Sequence, residues 1–137
     1  MPLTTGLLLI REITVTNALL VPTLGHQFPT FASLPPVFAT AFMTAFVEAT
    51  CAELVAPHLM PLQRTVGTRV DLTHTAATPP GMKVTAEVEL VAIEGRKLRF
   101  KVACRDKAGP IGEGIHERAI IDTPKFMEKL EIKARSR

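Results

Sequence analysis

Val37-Phe38-Ala39-Thr40-Ala41-Phe42-Met43-Thr44-Ala45-Phe46-Val47-Glu48-Ala49-Thr50-Cys51-Ala52-Glu53-Leu54-Val55-Ala56 is the stretch on which the fold turns. It lacks two-residue alternation, is rich in Ala and Phe, and is closed by Pro57, so it reads as a helix. It is apolar nearly all round, which predicts burial. A cylinder that is oily on every side needs cover on every side. One curved sheet wraps only part of it, so the rest must meet a second subunit or a lid.

Outward from the helix, residues 7–18 read as a strand, with Ile13, Val15, Leu19 and Leu20 inward. Residues 21–36, with Pro22, Gly25, Pro29, Pro35 and Pro36, read as loop. Four strand-like segments follow the helix, at 65–75, 83–93, 97–105 and 111–121. Val84, Ala86, Val88 and Leu90 alternate with polar residues in the second. Leu98, Phe100, Val102 and Cys104 do so in the third. Pro79-Pro80-Gly81, Glu94-Gly95 and 107–110 punctuate them. The short connections predict an antiparallel meander, with Glu87 and Glu89 set opposite Lys and Arg of the next strand. Residues from Thr123 onward read as a short charged helix that frays from about 127. The class is α+β, in one domain spanning 1–137.

The chain has 137 residues, 47% of them hydrophobic and 21% charged, a composition that supports a packed core. The net charge is +3 and there is no Trp or Tyr. No basic helix face with interleaved aromatics marks a nucleic-acid surface. Mild basicity suits a polyphosphorylated small ligand equally well. Cys51 and Cys104 fit no metal spacing and read as buried core thiols, which suits a reducing, cytoplasmic setting. The apolar run Leu7 to Ile10 is broken at once by Arg11 and Glu12 and has no basic flank, so no secretory signal is read. No segment offers the ~20 apolar residues of a membrane span.

On the helix, Thr40, Thr44 and Glu48 stand at i, i+4 and i+8 and drift by about 40° per step, forming one thin polar stripe. A threonine hydroxyl can satisfy itself on the carbonyl four residues back. A carboxylate among Phe46, Val47, Ala49 and Cys51 needs a partner or a task. His74, flanked by Thr73 and Thr75, becomes a candidate acid or base once paired with that carboxylate. His116 and Arg118 share a strand face with Gly112 and Gly114, where a ligand, a partner backbone or a neighbouring strand can approach closely. His26 and His58 receive no role, and the four histidines show no metal spacing.

Three ordered motifs then become specific. Val37 to Met43 followed by Glu48, Thr73 to Gly81, and Gly112 to Ala119 resemble a hotdog-fold family, the fluoroacetyl-CoA thioesterase type. The resemblance runs from about Phe31 to Phe126. It implies a curved antiparallel sheet wrapped around the long helix, and an acyl-CoA thioesterase needing no metal and no cofactor. It also implies a homodimer or tetramer with paired helices and sites between subunits. By motif, the catalytic threonine, glutamate and histidine fall on Thr40, Glu48 and His74. A glycine that holds the thioester carbonyl falls on Gly67, and an arginine near the substrate on Arg118. The resemblance likewise implies substrate-binding positions at Phe31, Leu34 and Phe38. Leu34 stands where the fluoroacetyl-specific type carries an aromatic gate, so selectivity for a fluorinated acyl group is not implied.

Thr40 and Glu48 are about 12 Å apart along a straight helix. Either Thr40 precedes the helix on a bent-back loop, or the two act from opposite subunits. The competing readings are a non-catalytic acyl-CoA-binding hotdog protein and a hydratase for enoyl thioesters. The Asp/His pair typical of such hydratases is not found here.

Overall fold

The computed structural model describes residues 2–136. Met1 and Arg137, the ends of the expected domain, lie outside the described residues. The long apolar stretch folds as α1 (Thr40–Val55). Pro57 stops it, because a proline lacks the N–H that the next helical bond needs. Its inner face carries Met43, Val47, Thr50, Cys51, Leu54 and Val55, all buried. Its outer face is not covered: Ala41, Ala45, Ala49 and Glu53 are exposed in the single chain.

A five-stranded antiparallel sheet wraps the inner face, with strands β1 (Leu8–Thr14), β2 (Gln63–Leu72), β3 (Lys83–Glu94), β4 (Lys97–Asp106) and β5 (Gly109–Asp122). Val84, Ala86, Val88 and Leu90 of β3 and Leu98, Phe100, Val102 and Cys104 of β4 are buried in alternation, as the period-two pattern requires. Burying each such Val, Leu or Phe contributes roughly 2 kcal/mol. Val15 and Leu20 join this core, with Ile13 and Leu19 packed against it. Register shifts that leave an extra residue on β2, β3 and β5 add the local twist that lets the sheet curve around α1.

The strand order is β1-β3-β4-β5-β2, which corrects one expectation. Only β3, β4 and β5 form a meander. β2 lies beside β5, because β1 already occupies the free edge of β3 from Leu8↔Glu89 to Thr14↔Lys83. The link from Thr73 to Met82 is long enough to cross the sheet. Thr73 N–H donates to the Glu113 carbonyl at 2.8 Å and Thr75 N–H to the Ile111 carbonyl at 2.7 Å, so the first residues of the link stay tied to β5.

Glu89 stands opposite Lys101 as expected, but Glu87 faces Ala103. The close cross-strand ion pair is Arg99–Glu117 at 2.8 Å. The tail forms α2 (Thr123–Arg135), with no buried residue. No helix among the described residues is long and apolar enough to cross a membrane.

Gly112 and Gly114 serve a tight strand contact. A Cβ on Gly112 would collide with the Thr73 carbonyl oxygen, and one on Gly114 with that of Asp71. Backbone atoms cannot retreat as a flexible side chain does. Gly112→Ala is therefore expected to destabilise the fold by about 2–4 kcal/mol in urea unfolding. Unchanged stability would show that the backbone at Thr73 yields there.

Candidate active site

Two clusters of polar side chains stand at separate points along α1. The first is at its N-terminus. Thr40 is the first residue of α1, so the bent-back loop is ruled out. Its hydroxyl lies 2.7 Å from His74 Nδ1. His74 sits in the link just past β2, between the two backbone bonds of Thr73 and Thr75. The Phe38 N–H donates to the Thr78 carbonyl at 2.9 Å, which draws the link against the start of α1. The Phe38 ring meets the imidazole edge-on, with centroids 6.2 Å apart. His74 Nε2 is buried and has no hydrogen-bond partner among the described residues. Burial holds the His74 pKa below the ordinary histidine value of 6.5.

The second cluster surrounds Glu48, two turns further on. Its Oε1 accepts a hydrogen bond from Arg118 Nη1 at 3.1 Å. The carboxylate is not sealed in the core as expected: its side chain is 39% exposed. Its neighbours on α1 are apolar, but the outer face of the helix is open. Oε2 accepts no hydrogen bond from any described residue.

Arg118, by contrast, is buried, and Thr65 holds it twice. Arg118 Nε donates to Thr65 Oγ1 at 2.8 Å and Nη2 to the Thr65 carbonyl at 2.9 Å. His116 Nε2 lies 3.2 Å from Arg118 Nη1 and 3.9 Å from Glu48 Oε1. Desolvation lowers the His116 pKa and the adjacent Arg118 charge does the same, against the bond to the Arg69 carbonyl, which raises it.

Gly67 pairs with Arg118 across β2 and β5. A Cβ there would lie 2.5 Å from Glu48 Oε1. A side chain at 67 would push the carboxylate out of its present position.

Within one chain, then, Thr40 and His74 come together, and Glu48, Gly67 and Arg118 come together. No hydrogen bond joins the two sets. Thr44 donates its hydroxyl to the Thr40 carbonyl at 3.0 Å, the bland role a helical threonine can take. Phe31 lies in a short 3-10 turn against Phe28, with ring centroids 5.9 Å apart, and Leu34 follows it, exposed. Burial pushes the thiols of Cys51 and Cys104 up to about 12 and about 11, so neither supplies a thiolate nucleophile near neutral pH. A surface hollow of about 930 Å³ at Pro79–Lys83 and Arg105–Gly109 touches none of these site residues.

Sequence reasoning missed Thr65 and noted His116 without a role. Both depend on the pairing of β2 with β5, which no local pattern announces.

A family model described as fluoroacetyl-CoA-specific thioesterase matches residues 24–124. The chain belongs to the fluoroacetyl-CoA-specific thioesterase family. A relative named fluoroacetyl-CoA thioesterase, from Streptantibioticus cattleyicolor, is 44% identical over 124 residues, covering 86% of this chain and 89% of that protein. A solved variant of that type of enzyme, FlK, in complex with acetyl-CoA superposes with a TM-score of 0.92 at 40% identity, over 96% of this chain and 98% of the other. A hot-dog-like protein from Thermanaerovibrio acidaminovorans, 18% identical with a TM-score of 0.83 over 97% of this chain and 94% of its own, shares the fold. The hotdog architecture expected of the family is thus the one observed.

His74 and His116 both have pKa values lowered by burial from 6.5. In the unfolded chain they take up protons first as pH falls, so their effect is to withdraw stability below about pH 6.5, with none lost above it. The thermal midpoint should hold steady above pH 7 and fall between pH 6.5 and 5. The fall should flatten in His74→Asn. A midpoint that rises over that window would contradict the assignment.

Proposed function

We propose that the chain is one hotdog domain acting as a short-chain acyl-CoA thioesterase, with acetyl- or haloacetyl-sized acyl groups as substrates. The observation that carries this reading is the Glu48 carboxylate. One oxygen, Oε1, is held by Arg118 in the space that Gly67 leaves, and the other accepts no hydrogen bond from any described residue. Such a group can meet an activated carbonyl. Leu34 in place of an aromatic gate supports acyl groups beyond the fluorinated one.

In this mechanism Glu48 Oε2 attacks the thioester carbon and the C–S bond breaks, giving an anhydride and the CoA thiolate. Water then opens the anhydride, losing a proton to His74 Nε2, and His74 passes that proton to the thiolate. In a base route no anhydride forms: Glu48 takes a proton from a water that attacks the thioester carbon, the C–S bond breaks, and that proton goes on to the thiolate. Transfer of solvent ¹⁸O into Glu48 during turnover separates the two. His74 Nδ1–H donating to Thr40 Oγ1 leaves the lone pair on Nε2. Its lowered pKa keeps that lone pair free near neutral pH. The N-terminus of α1 and the Gly67 N–H would stabilise the oxyanion.

The two half-sites on one chain support a homodimer as the working form, in the reducing cytoplasm that two free thiols suit. A two-fold axis passing near Thr44 would set α1 of two chains antiparallel. Residue 40 of one chain would then meet residue 48 of the other, since 40 and 48 lie equally far from 44. The exposed Ala41, Ala45 and Ala49 would let the helices approach closely. Thr40 and His74 of one protomer would act with Glu48 and Gly67 of its partner.

Purified protein should release free thiol from acetyl-CoA or a haloacetyl-CoA, and Glu48→Gln should lose at least about 10²-fold in kcat. Acyl-CoA binding with no thiol released would instead select the non-catalytic binding protein. Refolding Glu48→Gln together with His74→Ala should restore about a quarter of the native rate, from one intact site in each mixed dimer. A mixture as inactive as its components would place each site within a single chain.

A further inference from the structure

His116 is completely buried. Its ring stacks on Phe100 of β4, with centroids 6.2 Å apart and planes at 25°. Each of its nitrogens meets a neighbour that can play only one part. Nδ1 lies 2.8 Å from the Arg69 carbonyl oxygen. A carbonyl only accepts, so Nδ1 carries the hydrogen. Nε2 lies 3.2 Å from Arg118 Nη1. A guanidinium only donates, so Nε2 carries the lone pair. The two partners leave one protonation state, the neutral Nδ1–H imidazole.

Arg118 is held by Thr65 through Nε and Nη2, while Nη1 has two hydrogens. One goes to Glu48 Oε1 and the other to His116 Nε2. The charged groups around the imidazole are Arg118 and Glu117 on β5 and Glu48 on α1. From β2 comes the Arg69 carbonyl, and from β4 the uncharged Phe100. A second proton on Nε2 would face the guanidinium across 3.2 Å and turn an attraction into a repulsion. It would also come within 3.9 Å of the Glu48 carboxylate and compete with Arg118 for it.

We propose that His116 is a positioning residue for the hydrolysis: as the neutral Nδ1–H tautomer it aims Arg118 Nη1, and through Arg118 it sets where the Glu48 carboxylate stands. The inference rests on the reading of Glu48 as the reacting carboxylate. A chain of hydrogen bonds runs from the β2 backbone through His116 and Arg118 to the helix. It fixes the angle of Glu48 although His116 touches no substrate. Misplacing a reacting group by even ~1 Å is costly in rate.

The test pairs nitrogen NMR of ¹⁵N-histidine-labelled native protein with the kinetics of His116→Gln and His116→Asn on acetyl-CoA, with Glu48→Gln measured alongside. A glutamine amide oxygen reaches the Nε2 position and still accepts from Arg118. An asparagine amide keeps the donor to Arg69 but has no acceptor in reach of Arg118. The expected result is a neutral Nδ1–H signature for His116. With it, His116→Gln stays within about threefold of the native kcat, and His116→Asn falls about tenfold in kcat with KM moved less than about twofold. An Nε2–H or charged imidazole at pH 7.5 overturns the proposal even if neither variant folds. So does a native kcat in His116→Asn, or an equal loss in both variants. If Glu48→Gln is inactive while His116→Asn is fully active, only the positioning role fails. A native rate in Glu48→Gln removes the reading of Glu48 itself, and the positioning role with it.

Discussion

A buried guanidinium with acceptors for four of its five N–H donors organises this molecule around the middle of its helix. Arg118 lies on β5 under α1, and leaving it unpaired there would cost several kcal/mol. Thr65 takes two of its hydrogens, His116 one and Glu48 one. Those acceptors come from β2, β5 and α1. A single charge thereby locks the edge strand, its neighbour and the central helix into one geometry. The carboxylate presented at the open face is the visible end of that lock.

Space matters as much as charge. Gly67 sits in register with Arg118, and any side chain there would occupy the position of the Glu48 carboxylate. The register shift just beyond it, between Gly67 and Arg69, bends β2 as it passes the site. Further along the same pair of strands, Gly112 and Gly114 let β5 touch the backbone of 71–73. That contact sets where the link carrying His74 departs. The two polar clusters are thus held by one strand pair at two points along α1.

The half-exposure of Glu48 and the bare Ala41, Ala45 and Ala49 belong to the same geometry. A helix built apolar on all sides is covered by its own sheet on one side only. What the single chain leaves open is the face where its two clusters emerge, eight residues apart.

Much of this was legible without coordinates. The absence of alternation in 37–56 and Pro57 at its end marked the helix, and the period-two burial of 84–90 and 98–104 marked the strands, because these are local consequences of backbone geometry. Glu48, Thr40 and His74 stood out because a lone carboxylate and a histidine between hydroxyls are conspicuous in oily or quiet surroundings. The place of β2 beside β5 was not legible, since strand order depends on which edge is already occupied, and that depends on β1, far away in the chain. The tautomer of His116, the double grip of Thr65 and the room made by Gly67 followed from that pairing. The sequence alone determined which segments are helix and strand and which residues can do chemistry, because periodicity and side-chain type act over a few residues. Tertiary structure alone decided which of those residues meet, because contacts between β2, β5 and α1 join positions some 50 to 70 apart in the chain.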